Sequence, residues 1–249
     1  MTVSVVVRQW AAWSTACSSR QEWEDWFKDG VQRDPQAPDI SFLPPIQRRR
    51  LSLLTKMGLW LAHECLDGQS DMQNVPSVFS SRYGEYDRTF GLLQDLATDQ
   101  EVSPAAFSQS VHNTTSGLMS IFFGNKGAST VVSAGASSLE AGFLETALQA
   151  AEVKGRDVLY VHQDTPLPAQ YDEVGQSNIE GPIGLGLLVR AAEPGDKNVW
   201  HLSWRPNGQE KKTSHGPASR IRDIVKSLII GQGGTRFDDG RLLWTWSYG

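Results

Sequence analysis

Residues 117–142, GLMSIFFGNKGASTVVSAGASSLEAG, hold the densest set of groups suited to chemistry: the hydroxyls of Ser133, Ser137 and Ser138 gathered around Gly135. A turn through Asn125, Lys126 and Gly127 leads into the β-branched run Ser129, Thr130, Val131, Val132 and Ser133. Ala134-Gly135-Ala136 then interrupts it, and Leu139, Phe143, Leu144, Ala147, Leu148 and Ala151 follow at three- and four-residue spacings, which predicts a helix to about residue 154. A strand turning abruptly into a helix sets its tip at the positive helix end, where an attacking group and the oxyanion it generates are both favoured. That tip is Gly135, which has no side chain to attack with. An alcohol needs an activating base within hydrogen-bond reach, and none is adjacent in sequence, so the serines read first as helix caps and turn closers.

The elements that must position this tip alternate between strand and helix. Residues 3–10 are β-rich, and Ser19-Arg20-Gln21-Glu22 spells a capping box before a helix carrying Trp23, Trp26 and Phe27. Residues 34–45, with four prolines, predict a loop. Leu51, Leu54, Gly58, Leu61 and Cys65 predict a helix over 48–66. Strands are expected over 78–81, 158–162 and 183–189, a helix over 85–97, and an N-cap at Ser103 with Pro104 in the first helical turn. After Pro194-Gly195-Asp196 the pattern changes to a strand at 199–204, a polar loop at 207–217, an amphipathic helix at 219–230 and a strand at 242–248.

The run Ser133-Ala134-Gly135-Ala136-Ser137-Ser138 resembles the elbow of the thiolase and β-ketoacyl synthase superfamily, and Gly135 falls where those condensing enzymes keep the acyl-carrying cysteine. Ser103-Pro104, Ser110, Gly117, Ser120-Ile121, Gly124 and Gly127 align with similar residues without insertion. Residues 42–66, 76–85, 110–117 and 158–168 resemble one subgroup, the short ketosynthase-like subunits of aryl polyene and related type II polyketide pathways. The resemblance covers roughly residues 1–193. It implies an α/β fold, a thiolase-like single half with a βαβαβαββ order and a mixed five-stranded sheet flanked by helices. Residues 194–249 would form a C-terminal α/β appendage of unassigned role.

The resemblance also implies a function. A ketosynthase draws its two catalytic histidines from a second half, for which no internal repeat stands here. His215-Gly216 is followed by Pro217 rather than threonine and does not qualify. A non-catalytic subunit of the chain-length-factor type is therefore expected, paired with an active ketosynthase and working on a chain borne by an acyl carrier protein. In this superfamily the strand before the elbow lies at the sheet edge and pairs with a second subunit. That assigns Ser129, Thr130, Val131, Val132 and Ser133, with His112 and Asn113, to a dimer interface. Ala105, Ala106 and Phe107, with Met119 and Phe122, are the candidate tunnel or chain-length residues. His112 by default reads as a buried, hydrogen-bonded side chain. The alternatives are a stand-alone acyltransferase or hydrolase using a serine near the elbow, and a homodimeric acyl-carrier-binding protein.

Composition narrows the field further. At 249 residues, with a net charge of −5, the chain can bury a sizeable core and is poorly suited to nucleic acid; Arg48-Arg49-Arg50 is too short a basic run to change that. Two cysteines, Cys17 and Cys65, make no disulfide framework, and no stretch has the length of a membrane span, so a cytoplasmic protein is expected. His63 and Cys65, two apart on a helix, face different ways, so neither a metal nor a cofactor is expected. The nine tryptophans suit a core or an interface equally.

Overall fold

The structure is a computed structural model, and it describes residues 1–30, 36–69, 72–153, 155–174, 181–207 and 216–249. Parts of the expected loops at 34–45 and 207–217, His215 among them, and residue 154 lie outside the described residues. The chain runs β1 (Thr2–Ser14), α1 (Arg20–Asp29), α2 (Pro45–Arg48), α3 (Leu53–Leu66), β2 (Ser77–Ser80), α4 (Tyr86–Ala97), α5 (Pro104–Ser108) and α6 (Thr114–Phe123). It continues through β3 (Ser129–Val132), α7 (Ser138–Glu152), β4 (Val158–Asp164), β5 (Ile183–Ala191), β6 (Val199–Pro206), α8 (Pro217–Ile230), β7 (Gly233–Asp238) and β8 (Leu242–Tyr248).

Local chemistry explains most of the element boundaries. Ser19 and Glu22 form the expected reciprocal capping box on α1. Ser103 Oγ accepts from Ala106 N, with Pro104 at the start of α5. The helix expected over 48–66 is split: Ser52 Oγ accepts from Thr55 N at 3.0 Å and starts α3, while the arginine run lies at the end of the short α2 and beyond it. Leu51 fits the apolar spacing yet precedes the cap, which is why periodicity alone overran the boundary.

The strands form one mixed sheet in the order β3-β2-β4-β5-β1-β6-β8-β7. β3, β2 and β4 are parallel, β5 runs antiparallel to β4 and β1, and β6, β8 and β7 follow antiparallel. The α/β class and the helix-flanked mixed sheet agree with the sequence reading. The sheet has eight strands because the three after residue 194 continue it past β1. α7, α8 and α1 cover one face, burying Phe143, Ile221, Trp23, Trp200 and Trp246; α3 and α6 cover the β3-to-β1 part of the other, burying Met57, Leu61 and Met119. Trp13, Trp23, Trp200 and Trp246 are fully buried, and Trp60 and Trp244 nearly so, which places most of the tryptophans in the core. Cys17 and Cys65 are both buried and free, and burial pushes the Cys65 thiol far above its ordinary pKa. His63 stacks on Phe42 with ring centres 4.0 Å apart.

α3 presses closely on β4 and α6. A Cβ added at Gly58 would collide with Gln163 Oε1 and Thr115 Cγ2, side chains already joined by a 2.8 Å hydrogen bond. Gly58→Ala is therefore expected to lower stability by about 1–3 kcal/mol through overpacking, although alanine favours a helix by about 1 kcal/mol over glycine. A denaturant midpoint unchanged or raised would contradict this.

Candidate functional site: the β3–α7 elbow

β3 ends at Val132, and the chain turns through a single 3-10 turn, Gly135–Ser137, into α7. Gly135 has φ +58°, a left-handed conformation that an ordinary residue adopts at a cost of roughly 1–2 kcal/mol. A Cβ there would meet nothing within 4 Å, and Ala134, Gly135 and Ala136 are exposed. The place of a nucleophile is thus sterically open and chemically empty.

The three nearby serines are all engaged as structure. Ser138 Oγ accepts from Ala134 N at 2.9 Å and donates to Gly135 O at 2.8 Å. Ser133 Oγ donates to Arg82 O at 3.2 Å, and Ser137 Oγ donates to Asp239 Oδ2 at 2.5 Å. Burial opposes ionisation of Asp239 more than any single influence favours it. Hydrogen bonds from Ser137, Leu242, Trp244 and Arg241 together outweigh burial and hold the carboxyl below its ordinary pKa, so it makes a weak base. None of these hydroxyls has a histidine partner among the described residues, and the geometry gives the serine-hydrolase alternative no support.

Beneath the elbow lies a polar layer that sequence reasoning missed. Ser80, at the end of β2, sits 2.9 Å from Tyr160 Oη and 2.8 Å from His162 Nδ1, and Tyr160 Oη donates to Leu139 O in the first turn of α7 at 2.6 Å. His162 Nε2 lies 3.3 Å from Asp164 Oδ2, and Asp164 Oδ1 accepts from Ser81 Oγ at 2.9 Å and Arg82 N at 2.7 Å. Ser80 thus links Tyr160 to His162, while His162 Nε2 and Asp164 Oδ2 approach each other without a hydrogen bond between them. Ser80, His162 and Asp164 are each 1% exposed, so the line braces the elbow from within and does not face a substrate. A signal was present: Tyr160, His162 and Asp164 alternate along a buried strand and therefore share one face.

The tail grips the same turn from the other side. On α8, Arg220 Nη1 donates to Glu140 Oε1 at 2.5 Å and Nη2 to Ala136 O at 2.9 Å, while the guanidinium centre lies 3.6 Å from the Phe237 ring centre. Asp239, between β7 and β8, holds Ser137, and Trp246 of β8 packs on Phe143 of α7 with ring centres 4.3 Å apart. Residues 136–140 are thus fixed by side chains some 80–100 positions later in the chain.

The remaining sequence candidates separate. β3 is the outer strand of the sheet; Ser129 and Ser133 are exposed, and Thr130, Val131 and Val132 are half-buried. Asn113 is exposed, and so is His112, contrary to its default buried reading, because it rests over Gly84 on the outside of the fold. Met119 is fully buried in the core beside α3, Phe122 and Ala106 are half-buried, and Ala105 and Phe107 are exposed, Phe107 at 63%. Among the described residues no cluster of three or more histidine, cysteine or acidic side chains could hold a metal, and no helix is long and apolar enough to cross a membrane.

An elbow in this topology is that of a condensing-enzyme scaffold. The profile of the β-ketoacyl synthase N-terminal domain matches residues 21–247, and the chain belongs to that family. Among solved structures it is similar to the ketosynthase ApeO in complex with its chain length factor ApeC from Xenorhabdus doucetiae, at 24% identity and TM-score 0.81 over 98% of this chain and 99% of that one. It is also similar to AntDE:AntF, a type II polyketide carrier protein in complex with its ketosynthase, at 11% identity and TM-score 0.71 over 99% of each chain. A third is the ishigamide ketosynthase/chain length factor, at 13% and 0.57 over 86% of this chain and 66% of that one. These likenesses establish a thiolase-like ketosynthase fold. No curated protein matches the sequence.

Proposed function

We infer that this protein is a non-catalytic ketosynthase-like subunit of the chain-length-factor type. It would pair through β3, His112 and Asn113 with an active ketosynthase and, through Ala105, Ala106, Phe107, Met119 and Phe122, shape the tunnel in which a carrier-bound acyl chain grows. Aryl polyene or a related polyketide elongation in the cytoplasm is the setting the family resemblance favours. Residues 1–193 would supply the ketosynthase-like unit and 194–249 its brace.

The observation that carries this reading is an intact elbow with glycine at its tip and every neighbouring hydroxyl spent on structure. Condensation needs a thiolate to take the acyl chain and groups that stabilise the enolate and its charge. Supporting the pairing is an outer β3 whose open edge would otherwise invite aggregation. The similar structures, in which a ketosynthase is paired with a chain length factor or a carrier protein, point the same way.

Co-expression with an active ketosynthase of the same organism should give a complex whose mass by light scattering equals the sum of the subunits. Two separate monomers would sink the reading. Gly135→Cys should yield no condensation product from acyl- and malonyl-carrier substrates by intact mass, because a thiol alone leaves the decarboxylation and enolate steps unassisted. Measurable product from the purified variant would contradict it.

A further inference from the structure

The opening strand is paired on both sides for only part of its length. From Thr2 to Val6, β1 bonds β6; from Val7 to Ser14 only β5 pairs with it, and the register slips between Val7 and Gln9. Beyond that bulge, Ala12 O accepts from Trp23 Nε1 at 3.0 Å and Ser14 N donates to Cys17 O at 2.8 Å, both on the side away from β5. Backbone groups in an antiparallel strand alternate sides, so the even-numbered residues face outward here and Trp10 joins them. Its N–H and C=O meet no strand on that side among the described residues.

This open edge is the floor of a cleft of about 450 Å³, with Trp10, Trp23 and Arg20 on the α1 side and Trp60 and Glu64 of α3 on the other. The Arg20 guanidinium lies 5.8 Å from the Trp10 ring centre and is already paired with Glu24 at 3.0 Å. Arg8, at the bulge, is exposed and has no ion-pair partner among the described residues. A bare strand edge between two helices, carrying an unmatched cation at its rim, calls for donors and acceptors spaced along an extended chain, with a carboxylate at one end.

We propose that this cleft takes an extended, acid-bearing segment of a partner polypeptide as an added strand along residues 8–12. Trp10 supplies the backbone bonds and its half-buried ring covers a neighbouring side chain, Arg8 meets the carboxylate, and Ala12 O keeps its bond from the buried Trp23. Three strands separate β1 from β3, roughly 19 Å at the usual strand spacing, so the cleft and the β3 edge can be filled at once.

The test uses the full-length chain and the capped peptide acetyl-Val-Glu-Val-Glu-Val-amide. Titration should slow exchange of the Trp10 amide at least about tenfold at saturation. A peptide N-methylated on alternate amides should bind at least about tenfold more weakly, because its backbone cannot join the edge. Arg8→Glu should reverse the preference toward the lysine counterpart while leaving association through β3 unchanged, which separates this proposal from the subunit reading. Absence of binding at about 5 mM peptide overturns the proposal. Equal binding of the N-methylated peptide does so too, since it would make the cleft a side-chain or small-molecule pocket.

Discussion

Val131→Pro is expected to weaken association with a ketosynthase by a factor of about 100 or more while leaving the isolated chain folded. The backbone bonds of β3 decide this. Ala128 O accepts from Ser77 N at 2.9 Å and Val132 O from Ser81 N at 3.3 Å, so the even-numbered residues bond β2 and Ser129, Val131 and Ser133 turn their backbone groups outward. Proline at 131 removes an outward N–H and puts a ring in the path of the incoming strand. Loss of that bond and its neighbour, with the clash, amounts to about 3 kcal/mol, and each 1.4 kcal/mol is tenfold in affinity. The side chain of Val131 packs on the α3 face of the sheet, so a stability loss of about 1 kcal/mol is expected as well. Thr130→Pro is the counterpart: its N–H faces β2, and the variant should lose ladder bonding and unfold at lower denaturant whether or not a partner is present. Light scattering of the co-expressed pair and thermal unfolding of the isolated variant separate the two. Retained association by a folded Val131→Pro protein would remove β3 from the interface.

The elbow was legible because its signals are local: a β-branched run, a glycine at the tip, and a helix whose apolar residues keep register. The caps at Ser19 and Ser103 were legible for the same reason, each being a hydroxyl within three residues of the amide it accepts from. β7 was not anticipated. Gly233-Gly234-Thr235-Arg236 has neither alternation nor strong strand propensity, and the segment is extended because β8 pairs with it from Gly233 to Asp238. The integration of the tail was invisible for a different reason. Nothing in the spacing of Arg220 or Asp239 names Glu140 or Ser137, and only the folded topology brings them together. The surroundings of the tunnel candidates were not legible either: Met119 lies in the core while Phe107 stands in solvent, and nothing in their spacing distinguishes the two.

Arg220→Ala is expected to destabilise the chain by about 3–5 kcal/mol at pH 7, the largest effect of any single substitution considered, because it leaves Glu140 as an unpaired buried carboxylate. In the native protein burial pushes the Glu140 carboxyl above its ordinary pKa, and the Arg220 charge pulls it part of the way back. A carboxyl with a raised pKa binds its proton more tightly folded than unfolded. Its contribution is therefore most favourable below the unfolded value, about 4.3, and is lost as pH rises toward the folded value. Removing Arg220 raises the folded value further and widens that window. The deficit of the variant should accordingly shrink on going from pH 7 toward pH 5, by as much as about 1.4 kcal/mol per unit, measured by urea unfolding at each pH. A deficit that stays constant with pH would mean that lost packing on Phe237 and the lost bond to Ala136 O dominate. Replacing both partners with apolar residues, Arg220→Met with Glu140→Leu, should recover most of the loss, since no charge is then left buried. In that double variant the core holds while Ala136 O is released, so the tip of the elbow loses its brace from the tail but not the fold beneath it. A ketosynthase pairing that weakens in the double variant would therefore report on the shape of the tip, separately from global stability.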